Sequence, residues 1–328
     1  MRCMRSPGCW RDTHPDDAVA IAKGITDPGS RRQALRDVAE ALTEQNPQAA
    51  ERIVRDLTAG ADEETWKLVL QRVAETVADV HDVFEAARLL DAVEDPKRRS
   101  WGLLYVVDLA APRDPAGAEQ VARTISDPTD RAYALRSVIY ALGECDLAEA
   151  ERVAQSIPGS DPEQALAWLV IAMARHDPVE GERRACALRD GYKRSLAFRA
   201  LAEAVLERDR HWAARLLDEA ERAARTISAP GLGPSIELRE IAALAARYDV
   251  AEAERIIGGI EEPGDRDYAA WEAAKNAAAH DPSGAERLAR SVEDAYYRSW
   301  ALRETAAEAA RHHHLAAAER MARSITER

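Results

Sequence analysis

The triplet Ala-Glu-Arg keeps time along this chain. It stands at Ala50-Glu51-Arg52, Ala150-Glu151-Arg152, Ala253-Glu254-Arg255, Ala285-Glu286-Arg287 and Ala318-Glu319-Arg320, with relatives at Ala118-Glu119-Gln120 and Gly181-Glu182-Arg183. The steps between successive glutamates are 68, 32, 31, 72, 32 and 33 residues, so 68 and 72 each read as two units. A fixed period of this length marks a chain that stacks one small supersecondary unit on the next. Such a chain grows in one dimension, so 328 residues need not divide into two globular domains.

Asp-Pro pairs punctuate the same period. They fall at Asp27-Pro28, Asp95-Pro96, Asp127-Pro128 and Asp161-Pro162, with a degraded version at Pro263-Gly264, and at a second junction at Asp114-Pro115, Asp177-Pro178 and Asp281-Pro282. Pro stops the helix before it, and Asp caps the one after it. Each unit therefore reads as two helices. In residues 117–125 Ala118, Val121, Ala122 and Ile125 share one stripe, and in 131–144 Leu135, Val138, Ile139 and Leu142 share another. Neither helix buries its stripe alone, so neighbours must stack. Only two Phe and no alternating strand-like run accompany this pattern. The expected fold is all-α: a right-handed αα-superhelix of about nine two-helix repeats of 31–36 residues over 16–328, preceded by a tail at 1–15. Residues 49–82 and 212–250 look irregular, and SAPGLGPS at 228–235 reads as an insertion.

The run AYALRSVIYALGECDLAEAERVAQSIPGSDP, residues 132–162, resembles a tetratricopeptide repeat in its period, its Asp-bearing turn and its Ala-Glu-Ala opening of the second helix. It lacks that family's mid-helix Leu-Gly pair and often shortens the unit to 32 residues. The resemblance is to tetratricopeptide-like or HEAT-like α-solenoids in general and covers 16–328. It implies a binding scaffold.

Aligning the longer helices produces two columns. One is arginine: Arg31, Arg99, Arg131, Arg194, Arg266, Arg298. Two residues on lie Gln33, Trp101, Tyr133, Leu196, Ile236, Tyr268 and Trp300. At about 100° per residue, Tyr133 points away from Leu135, Val138, Ile139 and Leu142, which lie roughly 140–240° round the helix. Further along that outward line come Ser137 and Tyr140 on one helix, Tyr105 and Asp108 on the one before, and Glu304 after Trp300. The candidate ligand-binding residues are thus Trp101, Tyr105, Asp108, Tyr133, Ser137, Tyr140, Tyr268, Trp300 and Glu304. Tyr and Trp give large contact area at low entropy cost. The competing reading is that these aromatics fill space between repeats. A first-turn arginine opposes the helix dipole. The arginine column is therefore expected to pair with the Ala-Glu-Arg glutamates, or else to offer guanidinium donors to a ligand.

The formal net charge of −13 argues against a nucleic-acid partner, whose phosphates draw on clustered Lys and Arg. No apolar run approaches the roughly 18 residues of a membrane span, and MRCMRSPGCWRDTHP carries no hydrophobic signal region. The expected location is cytoplasmic. Cys3, Cys9, Cys145 and Cys186 are too scattered for a disulfide framework or a zinc site. His312, His313 and His314 are adjacent, so they cannot converge on one metal from a regular helix; with His176 and His280 they read as helix C-terminal residues. There is no phosphate-binding, dinucleotide, nucleophile-elbow or zinc-protease motif. No metal or cofactor is expected. The function expected first is a non-enzymatic scaffold for a peptide or protein segment. The alternatives are a protein that sequesters or senses an aromatic or cationic small molecule, as a self-resistance protein does, and, behind it, an enzyme whose site is assembled from several repeats.

Overall fold

In a computed structural model of the chain, the described residues are 15–43, 53, 83–91, 93, 95–157, 161–228 and 233–326. The Cys3/Cys9 tail, Ala50-Glu51-Arg52, nearly all of 49–82 and the Gly-rich centre of 228–235 lie outside them. Among the described residues every regular element is an α-helix. The chain divides into two compact units, 1–160 and 161–328. The first holds α1 (Pro15–Lys23), α2 (Pro28–Thr43), α3 (Val83–Asp91), α4 (Pro96–Ala110), α5 (Pro115–Thr124), α6 (Pro128–Gly143) and α7 (Leu147–Gln155). The second holds α8 (Pro162–Met173), α9 (Pro178–Ala185), α10 (Gly191–Val205), α11 (Arg210–Ala224), α12 (Pro234–Ala245), α13 (Val250–Gly258), α14 (Pro263–Ala277), α15 (Pro282–Ser291), α16 (Ala295–Arg311) and α17 (Leu315–Thr326).

The helix starts follow from the Asp-Pro punctuation. Asp95, Asp114, Asp127 and Asp146 in the first unit each occupy an N-cap and accept a backbone N–H bond from the first turn. Asp161, Asp177, Asp190, Asp209, Asp249, Asp281 and Asp294 do the same in the second. Each such cap satisfies a donor the helix cannot satisfy itself. At the degraded junction before Pro263, Glu262 makes no side-chain cap bond, and neither does Gly233 before α12. Residues 212–250, which read as irregular, carry α11 and α12 in regular form.

Odd-numbered helices lead each pair and even-numbered ones trail it. In the first unit α4 packs on α6, and α3 on α5. In the second, α8, α10, α12, α14 and α16 pack each on the next, while α13, α15 and α17 do likewise. Each unit therefore has a trailing-helix layer and a leading-helix layer, with the sequence stripes buried between them: Leu135, Val138, Ile139 and Leu142 are buried, as are Ala118, Val121, Ala122 and Ile125. Two glycines let the leading helices close up. A Cβ on Gly117 in α5 would lie 2.8 Å from Val83 Cγ1 on α3, and one on Gly284 in α15 would lie 2.8 Å from Val250 Cγ1 on α13.

The arginine columns are arranged otherwise than the sequence reading had them. The first-turn arginines bond backbone instead of the Ala-Glu-Arg glutamates. Arg31, Arg131, Arg266 and Arg298 donate from Nη1 to the carbonyl six residues upstream, at 3.3, 2.9, 3.4 and 2.9 Å, and Arg99 Nε reaches Val93 O at 2.9 Å. Ile125 and Val292, two of those acceptors, are the C-cap residues of α5 and α15. A carbonyl left over at the end of the leading helix thus satisfies the arginine that opposes the dipole of the trailing one. Arg194 differs and pairs with Glu219 at 3.3 Å.

The Ala-Glu-Arg triplets pair among themselves. Arg152 bonds Glu119, Arg255 bonds Glu221, Arg287 bonds Glu254 at 3.2 Å, and Arg320 bonds Glu286 at 3.0 Å. Each arginine reaches one repeat back, 33 or 34 residues. Glu221 belongs to a further triplet, Ala220-Glu221-Arg222, so the step of 72 resolves into 39 and 33. Where Glu182 lacks such an arginine, Trp212 Nε1 donates to it at 2.8 Å.

The histidine cluster ends α16. His312 is the C-cap, His313 has φ 65°, and His314 Nε2 donates to Ala279 O at 2.9 Å. The run serves the turn into α17, as the helix-end reading had it.

Candidate functional site: an aromatic and arginine strip

The trailing helices present the candidate residues in two groups, one per unit. Trp101, Tyr105 and Asp108 are on α4, with Tyr133, Ser137 and Tyr140 on α6. Trp101 and Tyr133 are 44% and 45% exposed, so neither is a core residue. Ser137 Oγ donates to Asp108, tying α6 to α4. The Arg136 guanidinium lies 5.0 Å from the Tyr133 ring centroid and 5.9 Å from that of Tyr140, so it stacks between them.

In the second unit the rings form an unbroken chain across two helices. Tyr268 meets Trp271 edge-on at 5.0 Å on α14, Trp271 meets Trp300 of α16 at 5.7 Å, and Trp300 meets Tyr296 at 6.2 Å. Tyr297 adds a further edge-on contact to Tyr296 at 5.5 Å. These are the separations at which aromatic pairs attract. Tyr268, Trp300, Tyr297 and Tyr296 nevertheless keep 40, 37, 54 and 69% of their surface in solvent. Glu304 Oε1 accepts from Trp300 Nε1 at 2.7 Å and fixes that indole. Lys275 lies between the carboxylates of Glu272, at 3.6 Å, and Glu304, at 3.8 Å.

Sequence reading missed Trp271, Tyr296, Tyr297 and a second arginine column. Three residues past the aromatic column stand Arg36, Leu104, Arg136, Arg199, Arg239, Trp271 and Arg303. Positions i and i+3 share a helix face, so the information was in the same alignment, one turn on. Arg239 of α12 stacks on Tyr268 of α14 at 4.4 Å, and Arg303 stacks on Trp300 at 5.4 Å. Arg199 faces buried Glu237 at 3.5 Å, and Ser195 Oγ donates to the same carboxylate at 3.3 Å. Burial pushes the Glu237 carboxyl up, against the pull of Arg199.

Two further features lie elsewhere. Among the described residues, Asp218, Glu221 and Glu252 are near enough to share a cation. Glu221, though, is already bonded by Arg225 and Arg255; burial raises its pKa, but those two arginines outweigh burial and hold it below the ordinary range. A depression of about 100 Å³ is lined by Arg290, Arg298, Ser299, Leu302, Ser324 and Ile325. Cys145 and Cys186 are free and exposed. No described helix is long and apolar enough to cross a membrane.

No protein-family model matches this chain, and no curated protein matches it. Among solved structures, the crystal structure of Ton1535 from Thermococcus onnurineus NA1 is similar, with a TM-score of 0.36 and 17% identity over 89% of this chain and 83% of that one. Nothing about function passes from that likeness.

Proposed function

We propose that the chain is an α-solenoid of tetratricopeptide-like or HEAT-like repeats, wound as a right-handed αα-superhelix. It acts as a non-enzymatic scaffold whose trailing-helix strip binds a peptide or protein segment. The observation that carries this is the ring chain Tyr268–Trp271–Trp300–Tyr296, held in place by its own contacts while much of each outer ring stays in water. Rigid, solvent-facing aromatics on helices are low-entropy anchors for a partner. A small molecule that is sequestered needs a pocket of roughly 300–1,000 Å³. The depression at Arg290 and Ile325 is well below that, whereas the exposed rings run along two neighbouring helices, a layout that suits an extended segment. The test is a random twelve-residue peptide library displayed on phage and panned on the full chain and on its Trp271→Ala/Trp300→Ala variant. Clones enriched on the wild type and lost on the variant support the reading. No enrichment, or equal enrichment on both, overturns it.

A further inference from the structure

We infer that the segment bound on the second unit's strip is acidic, with two carboxylates about five or six residues apart on either side of an apolar or aromatic residue; this rests on the scaffold reading above. What a ligand must bring depends on which donors and acceptors on the strip are already engaged. The acceptors are used. Glu304 takes the Trp300 indole N–H and lies beside Lys275; Glu272 lies beside the same Lys275; Glu240 lies 3.3 Å from Arg239. The guanidiniums keep N–H groups to spare. Arg303 is exposed and has a ring beneath it with no ion pair among the described residues. Arg239 is stacked on Tyr268, its one carboxylate contact is the adjacent Glu240, and its Nε is buried with no hydrogen-bond partner. Arg199 is paired with buried Glu237 at 3.5 Å and does not count among these donors.

A guanidinium held over a ring loses some of its freedom and keeps N–H groups for a carboxylate. A ligand for this strip must therefore bring acceptors, and an apolar group to cover Trp271 between them. The spacing follows from the fold. Neighbouring packed helices are about 8–10 Å apart, so Arg239 on α12 and Arg303 on α16, two helices on, are roughly 16–20 Å apart. An extended chain at about 3.3 Å per residue covers that in five or six residues. The net charge of −13 does not reverse this. At physiological salt charges more than about 8 Å away are largely screened, so the local donors decide.

The test reads the charge of the peptides selected above and needs no new ligand. The expected clones carry two acidic residues five or six positions apart around an apolar residue. A synthetic peptide of that sequence should bind the full chain about ten-fold tighter than its Gln-for-acid analogue, the effect of one charge-assisted bond. Its affinity should fall by a similar factor on Arg303→Gln and on Arg239→Gln. The peptide analogues leave the protein unchanged, so a folding defect in either variant cannot mask the answer. Neutral or basic clones that still need Trp271 and Trp300 overturn the acidic assignment and leave the scaffold intact. The absence of clones that need those tryptophans overturns both.

Discussion

Within each unit the leading and trailing helices use arginine in opposite ways. In the leading layer, Arg152, Arg255, Arg287 and Arg320 each give their guanidinium to a glutamate one repeat back. The acceptors Glu119, Glu221 and Glu286 are shielded, at 13, 9 and 14% side-chain exposure. In the trailing layer, Arg136, Arg239 and Arg303 stack on rings and leave donors over. Both sets recur with the repeat, so periodicity does not separate structural from binding residues. What separates them is whether the partner recurs too. Glutamate keeps step with arginine in the leading layer except at Glu182, which takes Trp212 instead, whereas in the trailing layer Leu104 and Trp271 interrupt the arginines and Gln33, Leu196 and Ile236 interrupt the aromatics. A column that is regular in position and irregular in chemistry is what the proposed scaffold would show if it had been fitted to a partner.

The sharpest way to break that contrast is steric. A helix-interior Gly→Ala change ordinarily stabilises by up to about 1 kcal/mol. Gly284→Ala should do the reverse, because its Cβ would meet Asp281 Oδ2 at 2.3 Å and Val250 Cγ1 and Cγ2 at 2.8 Å. The aspartate tip can turn aside, but the valine on the neighbouring leading helix cannot. Overpacking of this kind costs about 1–3 kcal/mol. Gly264→Ala, in the trailing helix α14 with no atom within 4 Å, should be neutral or stabilising. Thermal or urea unfolding of the two variants reads the difference directly. Equal effects would show that the leading helices are not closed up as described.

Next in size is the glutamate ladder. Glu221→Ala should cost about 1–2 kcal/mol, since it removes a shielded carboxylate from Arg225 and Arg255 at once. The sign of its pH dependence is fixed by the arginines. In Glu119 and Glu221 burial raises the carboxyl pKa, but hydrogen bonds from Arg152 and Arg123, and from Arg255 and Arg225, outweigh it and hold the pKa down. A carboxyl depressed in the folded state contributes stability above its unfolded pKa and loses it as pH falls through the folded one. The penalty of Glu221→Ala should therefore be full at pH 7 and shrink towards pH 3. Glu237, raised by burial, runs the other way. Its contribution is present at low pH and is lost as pH rises through its folded pKa. Stability of Glu237→Gln relative to wild type should improve from pH 4 to pH 8. A penalty for Glu221→Ala that does not change with pH would mean the ladder is not ionic.

Much of this fold was legible in the sequence. Asp-Pro at Asp95, Asp114, Asp127, Asp161, Asp177 and Asp281 placed helix starts, because capping and the missing proline N–H are local effects that need no tertiary knowledge. The outward direction of Tyr133 and Trp300 followed from helical geometry alone. Three things were not legible. The destination of the first-turn arginines was hidden because Arg131 bonds Ile125 O, and a carbonyl has no sequence signature. Ala220-Glu221-Arg222 was passed over because its distance from Glu182, 39 residues, breaks the expected period. The split of the candidate residues between two units, with Tyr140 in one and Tyr268 in the other, depends on where packing is dense, and a repeat alignment does not carry that.

A smaller effect is expected for Trp300→Ala. That ring touches Trp271, Tyr296 and Glu304 and is 37% exposed, so its removal should cost about 1 kcal/mol or less in stability while abolishing peptide capture.

The smallest expected effect sharpens the comparison most, because it applies one chemical change to both layers. Arg255→Gln removes a guanidinium bonded to Glu221 and Glu252, and should lower stability by about 0.5–1 kcal/mol, with half its side chain already in solvent. Arg303→Gln removes a guanidinium with a ring under it and, among the described residues, no carboxylate against it, and should change stability by no more than about 0.5 kcal/mol. Urea midpoints for the two variants, taken with an unchanged m-value, measure both. The stability order alone would be a weak distinction, so salt supplies the second axis. Raising salt screens exposed ion pairs, so it should narrow the gap between wild type and Arg255→Gln and leave that between wild type and Arg303→Gln unmoved. If Arg303→Gln proves the more costly, or its cost falls with salt, Arg303 has a carboxylate partner in the folded chain, and the two layers use arginine alike.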